Sequence, residues 1–149
     1  MGEGLRRLLG DPMGALGLVL VLLILFTGAF ADLIVPYAPN AIDAKVRLAD
    51  PSWQHWLGTD HLGRDTLSRV IKGTQIAMFV AVSTTFSAMA LGLLLGMIAG
   101  FGPRWLDNAL MFLFDTVYSF PSIMLALAIV TVIGPSLGTV LLIIIVGSV

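Results

Sequence analysis

The chain has 149 residues, 58% of them hydrophobic and only 11% charged. Its mean hydropathy is +0.99. A soluble domain of this size needs far more polar surface, so the composition is that of a membrane protein. The formal net charge of −1 offers no basic patch to neutralise phosphates and excludes a nucleic-acid partner. The absence of cysteine excludes disulfides, thiolate metal ligands and thiol nucleophiles.

Residues 1–12 form a short polar leader containing Arg6 and Arg7. The Met-Gly start does not fit N-myristoylation, because Arg6 stands where that pattern needs Ser or Thr. Met13–Ala31 is an uncharged run of 19 residues, about the length that crosses a bilayer as a helix. A secretory signal is the rival reading, since Ala29-Phe30-Ala31 follows a basic region and imitates a cleavage site. The run is long for such a signal and further apolar runs follow, which favours an uncleaved first span.

Asp32–Thr74 is the one substantial hydrophilic region. Pro36, Pro39 and Pro51 make its first half irregular, and Trp53 and Trp56 have the character of interfacial anchors. At its centre lies Leu57–Asp65, LGTDHLGRD, between long apolar runs. Gly58 and Gly63 supply backbone freedom for a tight loop, and Asp60, Arg64 and Asp65 are close enough to bond one another. Together with Thr59 they make up the loop motif. His55 and His61 lie near Asp60 and Asp65, but their spacing matches no zinc signature and reads as that of polar loop groups. Asp65 is placed to cap a following helix in which Leu67, Val70 and Ile71 recur at helical spacing around Arg69 and Lys72. That helix is expected to be short and to lie on the membrane surface.

Gln75–Phe101 is the second span. Thr84, Ala88, Gly92, Gly96 and Gly100 recur every fourth residue, a small-residue stripe on which another helix can pack closely in lipid. The bland reading, that glycine is common in membrane helices, does not account for three at fixed spacing. Gly102–Asp107 is a short turn, and a third span is expected over Ala109–Ile133, kinked at Pro121. Asp115 is either an intramembrane carboxylate or a group at the interface; charge at mid-bilayer is costly, which favours the interface. Gly134–Gly138 forms another turn, and Thr139–Val149 opens a fourth apolar segment. Eleven helical residues reach only about 16 Å, roughly half the hydrocarbon core, so the chain is expected to be the N-terminal part of a longer one.

The combination W-x-x-W-LGTD-x-LGRD-x-LSR, then a glycine-rich span, then GPRWLDNALMFLFDTVYSFPSIM and GPSLG, resembles the second (C-type) permease subunit of bacterial ABC importers for dipeptides, oligopeptides and nickel. The resemblance runs from the leader to Val149. It implies an all-α, polytopic transmembrane helical bundle of the type I importer permease, truncated within its fourth span. It further implies three parts: residues 1–35, a cytoplasmic leader and first span; residues 36–74, an external loop with an amphipathic helix; and residues 75–149, the start of the core permease domain. The implied site is in the bacterial cytoplasmic membrane with the N-terminus inside. Implied partners are the lipid bilayer, a homologous permease, two cytoplasmic ATPases that use ATP and magnesium, and an extracytoplasmic solute-binding protein. The family's cytoplasmic coupling loop lies beyond Val149.

No cofactor, metal or catalytic group is expected in the chain itself. No G-x-x-x-x-G-K-[ST] loop occurs, and no nucleophile–base pair is visible. A raw count of Lys and Arg opposes the implied orientation, since Lys45, Arg47, Arg64, Arg69 and Lys72 all lie in the 32–74 region. Asp60, Arg64 and Asp65 are expected to order the loop through local bonds, not to contact substrate. Two other readings are weighed. A membrane anchor with a partner-binding loop leaves the kinked span and glycine stripe without a purpose. An intramembrane enzyme using Asp115 lacks a second ionisable group at matching depth.

Overall fold

The computed structural model describes residues 9–148. The expectations about Gly2, Arg6 and Arg7 in the leader, and about Val149, lie outside the described residues. The chain divides into two compact units, Met1–Phe79 and Val80–Val149, with one long helix running through both.

In the first unit, helix α1 spans Pro12–Ile34. Asp11 starts it by accepting a hydrogen bond from the Gly14 N–H at 3.0 Å, with proline at the first helical position, where a missing N–H costs nothing. Val35 ends it in an extended conformation before Pro36, as steric conflict with a following proline favours. Its 23 residues reach about 34 Å, enough to cross the hydrocarbon core, and large apolar side chains are exposed all round it. Ala29-Phe30-Ala31 lies inside this helix without a break, and Ala31 is fully buried.

Helix α2 spans Thr66–Phe101, 36 residues. The amphipathic Thr66–Lys72 stretch is therefore not a separate surface helix: it is the first two turns of the span. Gly73 costs a helix only about 1 kcal/mol, too little to stop it without a proline nearby, and the Thr74 hydroxyl turns back to the Val70 carbonyl at 2.9 Å.

At Gly28 the first unit brings α1 against α2: a Cβ added there would stand 2.8 Å from the Met78 sulfur. Gly28→Val is expected to cost about 1–3 kcal/mol by overpacking. Shortening the neighbour in Gly28→Val/Met78→Ala should restore most of it, as read by thermal unfolding in detergent. Near the membrane boundary, Asp32 of α1 is paired with Lys72 and accepts from Gln75 Nε2 at 2.9 Å.

In the second unit, α2 is followed by α3 (Arg104–Tyr118), α4 (Ser122–Ile133) and α5 (Leu137–Val146). The third span expected over Ala109–Ile133 is not one kinked helix. α3 and α4 meet at 92° across Ser119-Phe120-Pro121. Pro121 has no N–H to give and its ring would strike the carbonyl four residues back, so it starts α4 instead of bending α3. Its carbonyl accepts from Met124 and Leu125, at 2.9 and 3.1 Å. The helical path begins at Arg104, which shortens the expected 102–107 turn to Gly102-Pro103. Ser136 caps α5, accepting from the Thr139 N–H at 3.1 Å.

The glycine stripe of α2 is open: nothing in the described structure comes within 4 Å of a Cβ placed on Gly92, Gly96 or Gly100. Packing of another helix on that face remains a proposal.

Candidate functional site

The LGTDHLGRD loop is built around two carboxylates with different jobs. Asp60 gathers the loop. Its Oδ1 accepts from the Leu62 and Arg64 N–H groups at 2.8 and 3.0 Å, and its Oδ2 accepts from Arg64 Nε at 2.8 Å and from the Arg69 guanidinium. Its backbone is used as fully. The Asp60 N–H donates to the Arg64 carbonyl at 3.0 Å, and its own carbonyl accepts from Gly63 and Leu48 at 2.9 and 3.1 Å.

Asp65 fastens the loop to the helix. Its Oδ2 accepts from the Ser68 N–H at 2.7 Å, the N-cap bond of α2, and from the Ser68 hydroxyl at 2.6 Å. Its Oδ1 lies 2.9 Å from His55 Nδ1. An ionised carboxylate only accepts, so Nδ1 carries the proton in that bond. Asp65 is 4% exposed and Ser68 is not exposed at all. The Ser68 hydroxyl in turn accepts from the Tyr37 N–H at 3.1 Å, and the Tyr37 ring leans on His55 with centroids 5.0 Å apart. The segment leaving α1, the tryptophan segment and the start of α2 are thus tied together through one buried carboxylate.

Thr59 joins the preceding strip. It pairs with Asp65 in a single antiparallel bridge, and its hydroxyl accepts from the Ala49 N–H at 2.9 Å while donating to the Val46 carbonyl. Gly58 and Gly63 have φ of +68° and +77°, the left-handed region where side chains are strained. A Cβ on Gly63 would overlap the Asp43 carbonyl, and one on Gly58 would meet the Ala49 carbonyl oxygen at 2.5 Å. The 43–49 strip therefore lies directly on both glycines. His61 is exposed, with its carbonyl accepting from Arg47 Nε at 2.8 Å.

Desolvation pushes both carboxyls up, but it is outweighed. At Asp60 the Arg64 and Leu62 N–H groups and then the Arg64 side chain hold the acid well below its ordinary value of 3.8. At Asp65 the Ser68 hydroxyl and N–H, followed by His55, do the same. A depressed carboxyl gives stability that is full above its unfolded value and lost as pH falls through the folded one. The loop is thus expected to stay intact from neutral pH down to about 4 and to loosen only below that. Amide exchange of Leu62, Arg64 and Ser68 between pH 7 and 3 checks this, and loss of protection already at pH 6 would contradict it.

Sequence reasoning singled out Thr59, Asp60, Arg64, Asp65 and both glycines, and the structure brings them together. It missed Tyr37 and the 43–49 strip, which reach the site from far along the chain with no spacing signal. Ser68 was findable, because Asp-x-x-Ser is the spacing of an N-cap bond. Gly92, Gly96, Gly100 and Pro121 lie outside this site.

Two apolar helices are long enough to cross a membrane, or three if the bent α3–α4 pair counts as one span. With a structured loop between the first two, the chain is a polytopic α-helical membrane protein. Residues 1–51 match the model of the N-terminal transmembrane domain of oligopeptide transport permease C. The chain is 34% identical over 140 residues to the dipeptide transport system permease protein DppC of Alkalihalophilus pseudofirmus, covering 94% of this chain and 46% of that protein. It is 41% identical over 131 residues to the di/tripeptide transport system permease protein DppC of Pseudomonas aeruginosa, covering 83% and 43%. It is 35% identical over 136 residues to the glutathione transport system permease protein GsiD of Pectobacterium atrosepticum, covering 91% and 45%. Along nearly its whole length the chain is thus similar to permease proteins named for peptide transport, and it spans about half the length of the curated relatives it matches.

Proposed function

We propose that this chain forms the membrane-spanning part of a permease subunit in an ATP-driven importer of short peptides. The supporting observation is the match along nearly its whole length to proteins named for dipeptide, di/tripeptide and glutathione transport. Those names favour peptides over nickel as cargo. In this reading the chain does no covalent chemistry. ATP and magnesium are used by two partner ATPases, a homologous permease completes the pathway, and a solute-binding protein delivers the peptide.

The proposed topology puts residues 1–35 at the cytoplasmic face and in the first span, residues 36–74 outside the cytoplasmic membrane, and residues 75–149 in the core permease. This orientation is the one the family resemblance implies, and it stands against the raw count of Lys and Arg, which the ion pairs of Arg64 and Arg69 with Asp60 and of Lys72 with Asp32 do little to offset. Gly92, Gly96 and Gly100 would receive a helix of the partner permease or of this subunit's remaining bundle. The break at Pro121 would border the pathway, as discontinuous helices do in other transporters.

The test is uptake of a labelled dipeptide by cells with and without this gene. Loss of uptake on deletion, restored by re-expression, is the expected result. Unchanged uptake of di- and tripeptides, with loss of nickel accumulation instead, would overturn the cargo assignment. Unchanged uptake of all of them would favour the anchor reading.

A further inference from the structure

The first unit contains a cleft of about 490 Å³ walled by Thr27 and Ile34 of α1, Tyr37, Trp53 and Trp56 of the loop, and Ile71 of α2. That volume is in the range of small-molecule pockets, about 300–1,000 Å³. Its place along α1 sets its depth. Ile34 is the last residue of the helix, and Thr27 lies seven residues earlier, about 10 Å farther into the span. The inner wall is therefore at hydrocarbon depth, and the tryptophans stand where the span ends.

The buried polar groups around this cleft are already satisfied. The Tyr37 hydroxyl donates to the Gln54 carbonyl at 2.9 Å, and Asp65 is held by Ser68 and His55. Among the described residues no buried side-chain nitrogen or oxygen lacks a hydrogen-bond partner. The one charge in the walls, Asp65, is thus already engaged, and no buried donor is left to bind an ion. Yet Trp53 is 95% and Trp56 67% exposed, and Leu33 beside Ile34 is 82% exposed. Large apolar side chains of α1 outside the cleft, such as Phe26 and Phe30, are exposed as well. Indole rings favour the headgroup level, where one edge is apolar and the other wet.

We propose that the cleft is a phospholipid site: an acyl chain from the adjoining leaflet lies along Thr27, Ile34 and Ile71, and Trp53 and Trp56 flank it at the carbonyl level. The inference rests on the chain's being embedded in a membrane and not on its transporting peptides. A bound chain would shield the apolar side of the Asp65 junction from water.

The test reconstitutes the full chain, carrying Trp105→Phe so that Trp53 and Trp56 are the remaining tryptophans, in phosphatidylcholine vesicles. Lipid dibrominated near the carbonyl end of its chains is expected to quench the emission roughly twofold, while iodide in the buffer quenches little. In native mass spectrometry, the same chain should keep one phospholipid through detergent exchange. Thr27→Phe, which fills the inner end from a partly buried position, should lose that lipid while circular dichroism stays unchanged. Indole emission quenched by iodide and untouched by brominated lipid would overturn the proposal and mark the face as a docking surface for a protein. Equal lipid retention by wild type and Thr27→Phe would overturn it as well.

Discussion

Gly63→Ala is expected to be among the most damaging single changes in the loop, costing about 3 kcal/mol or more. Two independent penalties combine. The residue sits at φ +77°, where a Cβ is strained, and an added Cβ would overlap the Asp43 carbonyl, which is backbone and cannot rotate away. The 43–49 strip must then lift off, taking with it the Leu48 N–H to Asp60 carbonyl bond and both contacts of the Thr59 hydroxyl. Thermal unfolding in detergent and amide exchange at Leu48 and Ala49 read this directly. A melting temperature unchanged from wild type would show that the strip does not rest on Gly63. Gly92→Ala is the control: a Cβ there meets nothing within 4 Å in this structure, so the isolated chain should tolerate it.

Asp65→Ala is expected to cost about 3 kcal/mol, for a different reason. The change removes the N-cap of α2 and leaves three donors without their acceptor: the Ser68 N–H, the Ser68 hydroxyl and His55 Nδ1. A lost cap alone costs about 1 kcal/mol, and each unsatisfied buried donor adds about 1–3 kcal/mol before relaxation lets water in. Asp65→Asn retains a cap acceptor and should lose less than half as much. The signature is local: exchange protection falls at Ser68 and at Tyr37, whose N–H is bonded to the Ser68 hydroxyl, before it falls in the middle of α2. Equal destabilisation by alanine and asparagine would mean that charge, not capping, carries the junction.

The parts of this structure written locally were legible. Two glycines around a short run of charge announced a tight loop, and Asp65 ahead of apolar residues at helical spacing announced a helix start. What failed were judgements of degree. A proline in an apolar run says that a hydrogen bond is missing, but not whether the chain bends or turns by 92°, because neighbouring contacts decide that. The start of α2 has an amphipathic pattern that a surface helix would share, and only the absence of a breaker at Gly73 makes it continuous with the span. Partners remote in sequence, such as Tyr37 for Ser68 and Asp32 for Lys72, leave no periodic trace. The same holds for the loop cations, since the fold pairs Arg64 and Arg69 with Asp60 and Lys72 with Asp32.

In the proposed topology the Asp60–Asp65 loop is a rigid platform at the membrane boundary, outside the cytoplasm. The absence of native cysteine makes a direct test simple. His61 is exposed at the tip of the loop and lends only a backbone carbonyl to Arg47 among the bonds described above, so His61→Cys should leave the fold intact. A membrane-impermeant maleimide added to spheroplasts prepared without lysis is expected to label this residue fully. Labelling that appears only after the membrane is permeabilised would place the loop in the cytoplasm and contradict the account.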